Sequence, residues 1–299
     1  MASAPEIVSA LGGRWYGRRG MARCPAHPDR TPSLSISEGD DDRPLVFCHA
    51  GCIQEAVLDA LRACGLWPER GQRVMYPPPG QAVVEARRLA RARERQQRLD
   101  RARTIWRGAI SDCCRDLVRA YWRSRGLTME PPSTIRSGVF WHYQQRRRIP
   151  AMVAAIQDPN GCLQGVHLTF LRPDGEGKAD IESPRLTHGE LMGGAVRLAL
   201  AGAKIGLAEG IENAATVQQE AGLLCWAALS AGNLPRLELP AASREVVLCP
   251  DRGKAGEAAA RAAVEAYLAR GHDVRVAWPP GNFEDFNAAL LAAISGEIA

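Results

Sequence analysis

The sequence predicts an α/β protein whose C-terminal third forms a parallel sheet, preceded by a small ribbon and by a helical, α+β middle region. Three observations lead to this fold class. Apolar runs alternate with helical patterns after residue 200, cysteine and histidine residues are paired at short spacing before residue 53, and an arginine-rich helical pattern lies between these regions. Alternating strands and helices are typical of parallel sheets covered by helices on both faces.

Length and composition restrict the classes of protein. The chain has 299 residues, 46% of them hydrophobic, which is enough for several domains with their own cores. No apolar run reaches the roughly 20 residues that cross a bilayer, and the first residues lack the order of a secretory signal. We therefore expect a cytoplasmic protein without a membrane partner. The nine cysteines are then expected to be metal ligands or buried thiols instead of disulfides.

Two pairs of metal-ligand residues lie close together near the N-terminus. Cys24 and His27 form one pair, Cys48 and Cys52 form the other, and an alternating strand pattern lies between them. Four protein ligands complete a tetrahedral Zn²⁺ site, so the predicted zinc is structural. It would replace the hydrophobic core that so short a segment lacks. His49 is a rival fourth ligand, and ordinary buried thiols are the alternative to a zinc site.

The middle of the chain combines helical patterns with basic residues. Residues 53–64 predict a helix that packs on the ribbon, and the prolines at 76–80 predict an extended linker. The pattern over 83–103 predicts a helix rich in arginine, and a second helix is expected over 105–125.

The net charge is +5, with the arginines concentrated before residue 150. The arginine-rich helix either follows a phosphate backbone or is simply exposed to solvent. Its candidate phosphate contacts are Arg87 and Arg91.

Aromatic and basic side chains are interleaved in residues 141–148. Such a segment either stacks on bases and holds phosphates or is an exposed loop. Its candidate nucleic-acid contacts are Trp141, Arg146, Arg147 and Arg148. Residues 149–171 then predict a β-hairpin with His167 in its second strand, where a packing role is the common one.

Acidic residues follow two predicted strands of the C-terminal third. Glu209 comes after the strand at 204–208, and Asp251 comes just after the strand at 245–249. The carboxyl ends of parallel strands meet at one edge of a sheet, where ligands bind. Two carboxylates there suit Mg²⁺ or Mn²⁺ and substrates that carry phosphates. The alternative is that both are loop acids facing solvent.

The ribbon residues 24–36 and 47–57 resemble the zinc ribbon of bacterial and phage DNA primases, which contacts the single-stranded template in that family. Residues 115–198 resemble the segment that precedes the catalytic domain in phage and plasmid primases. The C-terminal third resembles a Toprim domain, the Rossmann-like parallel sheet shared by bacterial-type primases and topoisomerases. The resemblance implies four regions: a zinc ribbon at 1–70, a linker with the arginine-rich helix at 71–103, an auxiliary α+β segment at 104–200 and a Toprim catalytic domain at 201–299.

The resemblance also implies roles for individual residues. Glu209 matches the family's glutamate implicated in general acid or base catalysis, and Asp251 matches the first aspartate of an Asp-x-Asp metal motif. Gly253 stands where the second aspartate is expected. Asp285 resembles the first acid of a terminal Asp-Phe-Asn-Asp motif and is a third candidate magnesium ligand. Each lost carboxylate weakens the hold on the metal.

The sequence thus predicts a primase that makes short RNA primers on single-stranded DNA, with structural Zn²⁺, catalytic Mg²⁺ or Mn²⁺, and ribonucleoside triphosphates. Lys204 and Lys254 are candidate nucleotide contacts, and Glu212 or Glu284 could replace the missing acid. A helicase partner is expected, because no Gly-x-x-x-x-Gly-Lys-Ser/Thr loop occurs. The alternative is a catalytically weakened Toprim protein that binds single-stranded DNA as a replication accessory module. A Toprim nuclease would leave the ribbon unexplained.

Overall fold

The computed structural model describes residues 2–39, 43–71, 80–109 and 115–296. The chain divides into two compact units, with the division between Ala90 and Arg91. Most of the predicted proline-rich linker, at 76–79, lies outside the described residues. Within the described part of the chain, no helix has both the length and the apolar character that a bilayer span requires.

The first unit contains an antiparallel sheet with a helix on either side of it in the chain. Its elements are α1 (Ala4–Ala10), β1 (Arg14–Tyr16), β2 (Arg19–Ala22), β3 (Leu34–Glu38), β4 (Pro44–Cys48) and α2 (Gln54–Ala63). The strands pair in sequence order. Alternate residues of each strand face the core, where Leu34, Ile36 and Leu61 are fully buried. The predicted helix over 53–64 is confirmed, although Ile53 and Cys64 are exposed.

Two helices precede the large sheet. Helix α3 spans Gln81–Gly108 and α4 spans Arg115–Ser124. The sequence pattern separates the two helices near residue 104, but in the structure α3 continues to Gly108. Most of α3 is exposed, and only its C-terminal part joins a core, through Ala102, Ile105 and Trp106.

One mixed sheet forms the centre of the second unit. Its strands are β5 (Ile135–His142), β6 (Arg147–Gln157), β7 (Leu163–Phe170), β8 (Arg185–Gly189), β9 (Ala195–Arg197), β10 (Lys204–Ala208), β11 (Cys225–Ala227), β12 (Glu245–Cys249) and β13 (Asp273–Val276). The order is β13-β12-β10-β11-β9-β6-β7-β8, and β5 also pairs with β6. Strands β10 to β13 are mutually parallel, and the remaining pairs are antiparallel.

Strand β9 connects the two halves of this sheet. It pairs with β11 on one side and with the end of β6 on the other. The sheet therefore continues across residue 200, where the sequence predicts the start of the C-terminal domain. The four predicted regions stay a prediction.

Helices cover both faces of the parallel strands, as predicted. Helix α6 (Lys254–Ala269) packs on one face, and α5 (Ile211–Ala221) and α7 (Phe286–Ser295) pack on the other. The alternation within β12 shows this: Val246 and Leu248 belong to the core under α6, whereas Val247 and Cys249 belong to the core shared by α4, α5 and α7.

A half-buried ion pair attaches α4 and the β7–β8 connection to the first turn of α5. Glu212 Oε1 lies 3.0 Å from Lys178 Nζ and accepts a hydrogen bond from the hydroxyl of Tyr121 in α4. Burial acts to raise the pKa of Glu212, but the charge of Lys178 and the hydrogen bond from Tyr121 outweigh it and lower the pKa to about 2. Glu212 is therefore ionised and committed to these partners.

We expect Glu212→Gln to destabilise the chain by about 3–5 kcal/mol, because it leaves the ammonium of Lys178 partly buried without its counter-ion. Urea denaturation measures the difference. Glu265→Gln, on the exposed side of α6, is the matched control and should change stability by less than about 0.5 kcal/mol. Equal stability of the Glu212 variant and the wild type would contradict the assignment.

The pH dependence follows from the same pair. The folded pKa of Glu212 lies below the usual value of 4.5, so its stabilisation is present above pH 4.5 and is lost as the pH falls toward 2. The wild type should therefore lose stability more steeply than Glu212→Gln over this range.

Candidate active site and zinc cluster

A cleft opens at the carboxyl ends of the parallel strands, with about 590 Å³ of open volume. Four carboxylates line it, three of which we call the acidic set, together with three cations, the basic set. The acidic set is Glu209, Asp251 and Asp285. The basic set is Arg125, Lys178 and Arg185. The structure thus brings Glu209 and Asp251 to one rim, because β10 and β12 are neighbours in the sheet.

The carboxylates of the acidic set influence one another. Burial and the negative charges of Glu209 and Asp285 raise the pKa of Asp251 to about 6, against the hydrogen bond from Asn213. Burial also raises the pKa of Glu209, opposed by the backbone N–H of Ala231 and by Arg185. Clustered carboxylates of this kind are stabilised by a divalent cation. An all-oxygen donor set fits Mg²⁺ or Mn²⁺.

Two buried asparagines connect Asp251 to the start of α7. Asn213 Nδ2 donates to Asp251 Oδ1 at 2.7 Å, and Asn213 Oδ1 accepts from the backbone N–H of Asn287 at 3.0 Å. Asp285 caps α7 by accepting from the N–H of Ala288 at 2.7 Å. Helices α5 and α7 therefore fix the carboxylates against each other. Sequence reasoning missed both asparagines, although their position just after the acidic motifs was a usable signal.

The loop after Asp251 explains the missing second aspartate in structural terms. Gly253 has φ 104° and ψ 171°, a conformation that essentially only glycine adopts. A Cβ there would meet no atom within 4 Å, so the obstacle is the backbone and not crowding. At Gly256 a Cβ would clash with the carbonyl oxygen of Asp251. The loop is thus shaped by two glycines, and an acid at position 253 does not suit it.

The candidate replacements for that acid have different positions. Asp285 lines the cleft, and the negative charge of the exposed Glu284 contributes to the raised pKa of Asp251. Glu212 also lines the cleft, but its carboxylate is engaged by Lys178 and Tyr121.

The two lysines predicted as nucleotide contacts are not among the residues that line the cleft. Lys204 begins β10, at the opposite end of the strand from Glu209, and its Nζ lies 3.0 Å from Glu245 Oε1. Lys254 is the exposed first residue of α6. The chain has only three lysines, and the third, Lys178, is the one in the cleft.

Sequence reasoning did not select any member of the basic set as a site residue. Lys178 lies within the β7–β8 connection, Arg185 begins β8, and Arg125 follows α4. None belongs to a recognisable motif, so only the fold brings them to the acids. The scarcity of lysine was the one available signal.

The predicted nucleic-acid contacts at 141–148 lie at the end of a β-hairpin. Strands β5 and β6 pair Trp141 with Arg148, Arg146 is in the turn, and these side chains are exposed together with Arg147. Arg147 and Arg148 also line a groove to which Lys178 contributes, so the groove borders the cleft. The other two candidates, Arg87 and Arg91, lie on α3.

The four predicted zinc ligands converge in the first unit. One ligand atom from each of Cys24, His27, Cys48 and Cys52 lies within 4.8 Å of the others, which fits a tetrahedral Cys₃His site. Asp29 supports this arrangement by accepting from the backbone N–H of Cys24 at 2.8 Å, and its Oδ1 lies 3.8 Å from His27 Nε2.

The rival ligand His49 lies outside this cluster. Its ring packs edge-on against Phe47, with 5.0 Å between the ring centroids. The Cys₃His cluster therefore supports a structural zinc, as predicted.

Fold and sites together define a protein with a zinc ribbon and a Toprim domain, as predicted from the sequence. Residues 204–295 match the Toprim domain family. Residues 96–198 match a domain family of unknown function, DUF7146. Comparison with curated proteins finds no match.

Similar solved structures are primases. The zinc-binding and RNA polymerase domains of the Aquifex aeolicus primase are 14% identical (TM-score 0.46), with 99% of this chain and 84% of that chain covered. The primase fragment of the bacteriophage T7 primase-helicase protein is 16% identical (TM-score 0.38), with coverage of 90% and 91%. The DnaG catalytic core is 18% identical (TM-score 0.47), with coverage of 67% and 76%. Because these scores are below 0.5, the Toprim assignment depends on the family match and on this chain's own residues.

We expect the purified chain to hold one zinc ion, and Cys24→Ser to lose it, because three ligands hold Zn²⁺ far more weakly than four. The first unit should then lose its cooperative unfolding. Elemental analysis and circular dichroism measure both effects. Cys162→Ser, at an exposed cysteine in the β6–β7 turn, is the control and should keep the metal. Full zinc content in Cys24→Ser would contradict the ligand set.

We expect Gly253→Asp and Gly253→Ala to destabilise the chain equally, by about 1–3 kcal/mol, because both force a side chain into a glycine conformation. The added carboxylate should not tighten Mn²⁺ binding. Urea denaturation and Mn²⁺ titration measure these effects, with Gly232→Ala, at an open position, as the control. Tighter Mn²⁺ binding by the aspartate variant would show that the loop can accommodate a second acid.

Proposed function

We propose that this protein is a DNA primase that synthesises short RNA primers on a single-stranded DNA template by metal-dependent nucleotidyl transfer. The observation that carries the proposal is the meeting of the acidic set and the basic set in one cleft of the second unit. Carboxylates that bind a metal and cations that bind phosphates are the two requirements of phosphoryl transfer. The zinc ribbon supports a template-binding role for the first unit.

Glu209, Asp251 and Asp285 would hold Mg²⁺ or Mn²⁺. When bound, the ion neutralises phosphate oxygens and orients the triphosphate. In the transfer, the 3′-hydroxyl oxygen of the growing primer bonds to the α-phosphorus, and the bond to the pyrophosphate oxygen breaks. Glu209 would accept the hydroxyl proton, and its raised pKa supports this role, because it is closer to the pH at which a general base works best.

The basic set would bind the triphosphate of the nucleotide. Lys178 is oriented by Glu212 at 3.0 Å, and the Nε of Arg125 is buried without a hydrogen-bond partner among the described residues. A buried N–H without an acceptor costs free energy until a ligand accepts a hydrogen bond from it. Arg185, at the cleft, would stabilise the charge that develops on the leaving pyrophosphate.

Exposed residues outside the cleft would guide the template. Trp141 would stack on bases, and the arginines at 146–148 would contact phosphates. Arg87, Arg91, Lys204 and Lys254 remain proposed contacts for nucleic acid or nucleotide. A separate replicative helicase is the proposed partner, because the sequence has no motor motif.

A non-catalytic single-stranded-DNA-binding accessory protein is the second candidate. The glycine conformation at position 253 favours it, because the loop lacks a second metal-motif acid. Such a protein would bind DNA through the zinc ribbon and the basic residues but would not catalyse nucleotidyl transfer.

We expect wild-type protein to incorporate labelled ribonucleotides on single-stranded DNA with Mg²⁺ or Mn²⁺. Glu209→Gln and Asp251→Asn should each lower incorporation by at least about 100-fold, because they remove a proton acceptor and a metal ligand. Glu257→Gln, at an exposed acid in the first turn of α6, is the matched control and should keep full activity. Unchanged synthesis by Glu209→Gln would overturn the active-site assignment, and DNA binding without synthesis under either metal would select the accessory role.

A further inference from the structure

Strands β7 and β8 supply one side of the cleft. Their antiparallel register places His167 opposite Thr187 and Thr169 opposite Arg185. Val166, Leu168 and Phe170 of β7 pack into the core that includes the end of α3. Because successive strand residues point to opposite faces, His167 and Thr169 face away from that core, and both line the cleft.

His167 is a buried group with one ring nitrogen available. The residue is 9% exposed, and its Nδ1 lies 3.0 Å from the hydroxyl oxygen of Thr187. Its Nε2 has no hydrogen-bond partner in the part of the chain that the structure describes. Thr187 thus fixes the ring and leaves Nε2 for a ligand in the cleft.

Burial and two neighbouring cations keep the imidazole of His167 neutral. Burial, together with the cations Arg185 and Lys178, lowers its pKa to about 4, while the carboxylate of Glu212 acts in the opposite direction. A neutral imidazole with one nitrogen engaged offers a single donor or acceptor. Such a group pairs with a hydroxyl, which can donate to it or accept from it, whereas the neighbouring cations are better suited to a phosphate.

The neighbours of His167 indicate which part of a bound nucleotide would supply this hydroxyl. Two residues along a strand, about 7 Å, separate the Thr169–Arg185 pair from the His167–Thr187 pair. Arg185 belongs to the basic set proposed for phosphates, and the sugar is the part of a nucleotide bonded directly to its phosphates. Asn213, the neutral amide of the cleft lining, is already engaged by Asp251 and Asn287. With phosphates at the basic set, His167 would therefore face the sugar.

We propose that His167 hydrogen-bonds the ribose 2′-hydroxyl of the incoming nucleotide and thereby selects ribonucleotides over deoxyribonucleotides, with Thr187 orienting the ring. This inference deepens the proposed function and depends on it. A site built to hydrogen-bond a substrate hydroxyl discriminates strongly against the analogue that lacks it, because its own polar group is then left unpaired.

The experiment compares ATP and dATP as substrates for primer synthesis by wild type, His167→Ala and His167→Asn. The ratio of kcat/KM for ATP to that for dATP should fall at least tenfold in His167→Ala, through loss of ATP use alone, with partial recovery in His167→Asn. His188→Ala is the matched control, because His188 is half-buried on the other face of β8 next to Thr187. It should keep the wild-type ratio.

Equal losses for ATP and dATP in His167→Ala would overturn this inference and leave the proposed primase activity standing. If His167→Ala does not fold, Thr187→Val keeps the imidazole but removes its orienting partner. The ATP/dATP ratio should then fall several-fold, and an unchanged ratio would overturn the inference.

Equilibrium binding of ATP and dATP with Mn²⁺ gives a second readout that does not require synthesis. A wild-type preference for ATP that is lost in His167→Ala would support the role of His167 even without primer synthesis. Absence of any wild-type preference would overturn it, and absence of nucleotide binding would overturn both this inference and the proposed function.

Discussion

The cleft depends on one half-buried carboxylate, that of Glu212. Glu212 is enclosed between Lys178 and Tyr121, and a charge in such a place is stable only when its partners are present. Because α4 and the β7–β8 connection supply those partners, the middle segment is held against the first turn of α5. The same turn follows Glu209, so the interaction that secures the segments also sets the basic set beside the acidic set.

Three acids of the cleft have been given different properties by their surroundings. The pKa of Asp251 is raised to about 6 by burial and by neighbouring carboxylates, whereas two direct partners lower that of Glu212 to about 2. The pKa of Glu209 is also raised, mainly by burial. Divergent pKa values within one cleft are typical of sites in which carboxylates have separate tasks.

The sequence was most informative where a local pattern determines the structure. The strand before Glu209, the strand before Asp251 and the helices after them were predicted because apolar runs and helical periodicity are local signals. The zinc ligands were predicted because short spacing forces them together. Lys178 and Arg185 were missed because they belong to no motif and only the fold brings them to the acids. The asparagines at 213 and 287 were missed although they follow the acidic motifs. Strand β9 has only three residues and gave no pattern.

Strand β9 also determines how the chain can be divided. It fills the space between β11 and β6 with a ladder of backbone hydrogen bonds, although it precedes the Toprim match in sequence. A fragment cut at residue 200 would leave the outer side of β11 bare, with unpaired N–H and C=O groups along it. Bare strand edges recruit strands from other molecules and promote aggregation. A fragment that contains the parallel strands β10 to β13 is therefore expected to stay dispersed in solution only if it also includes β9.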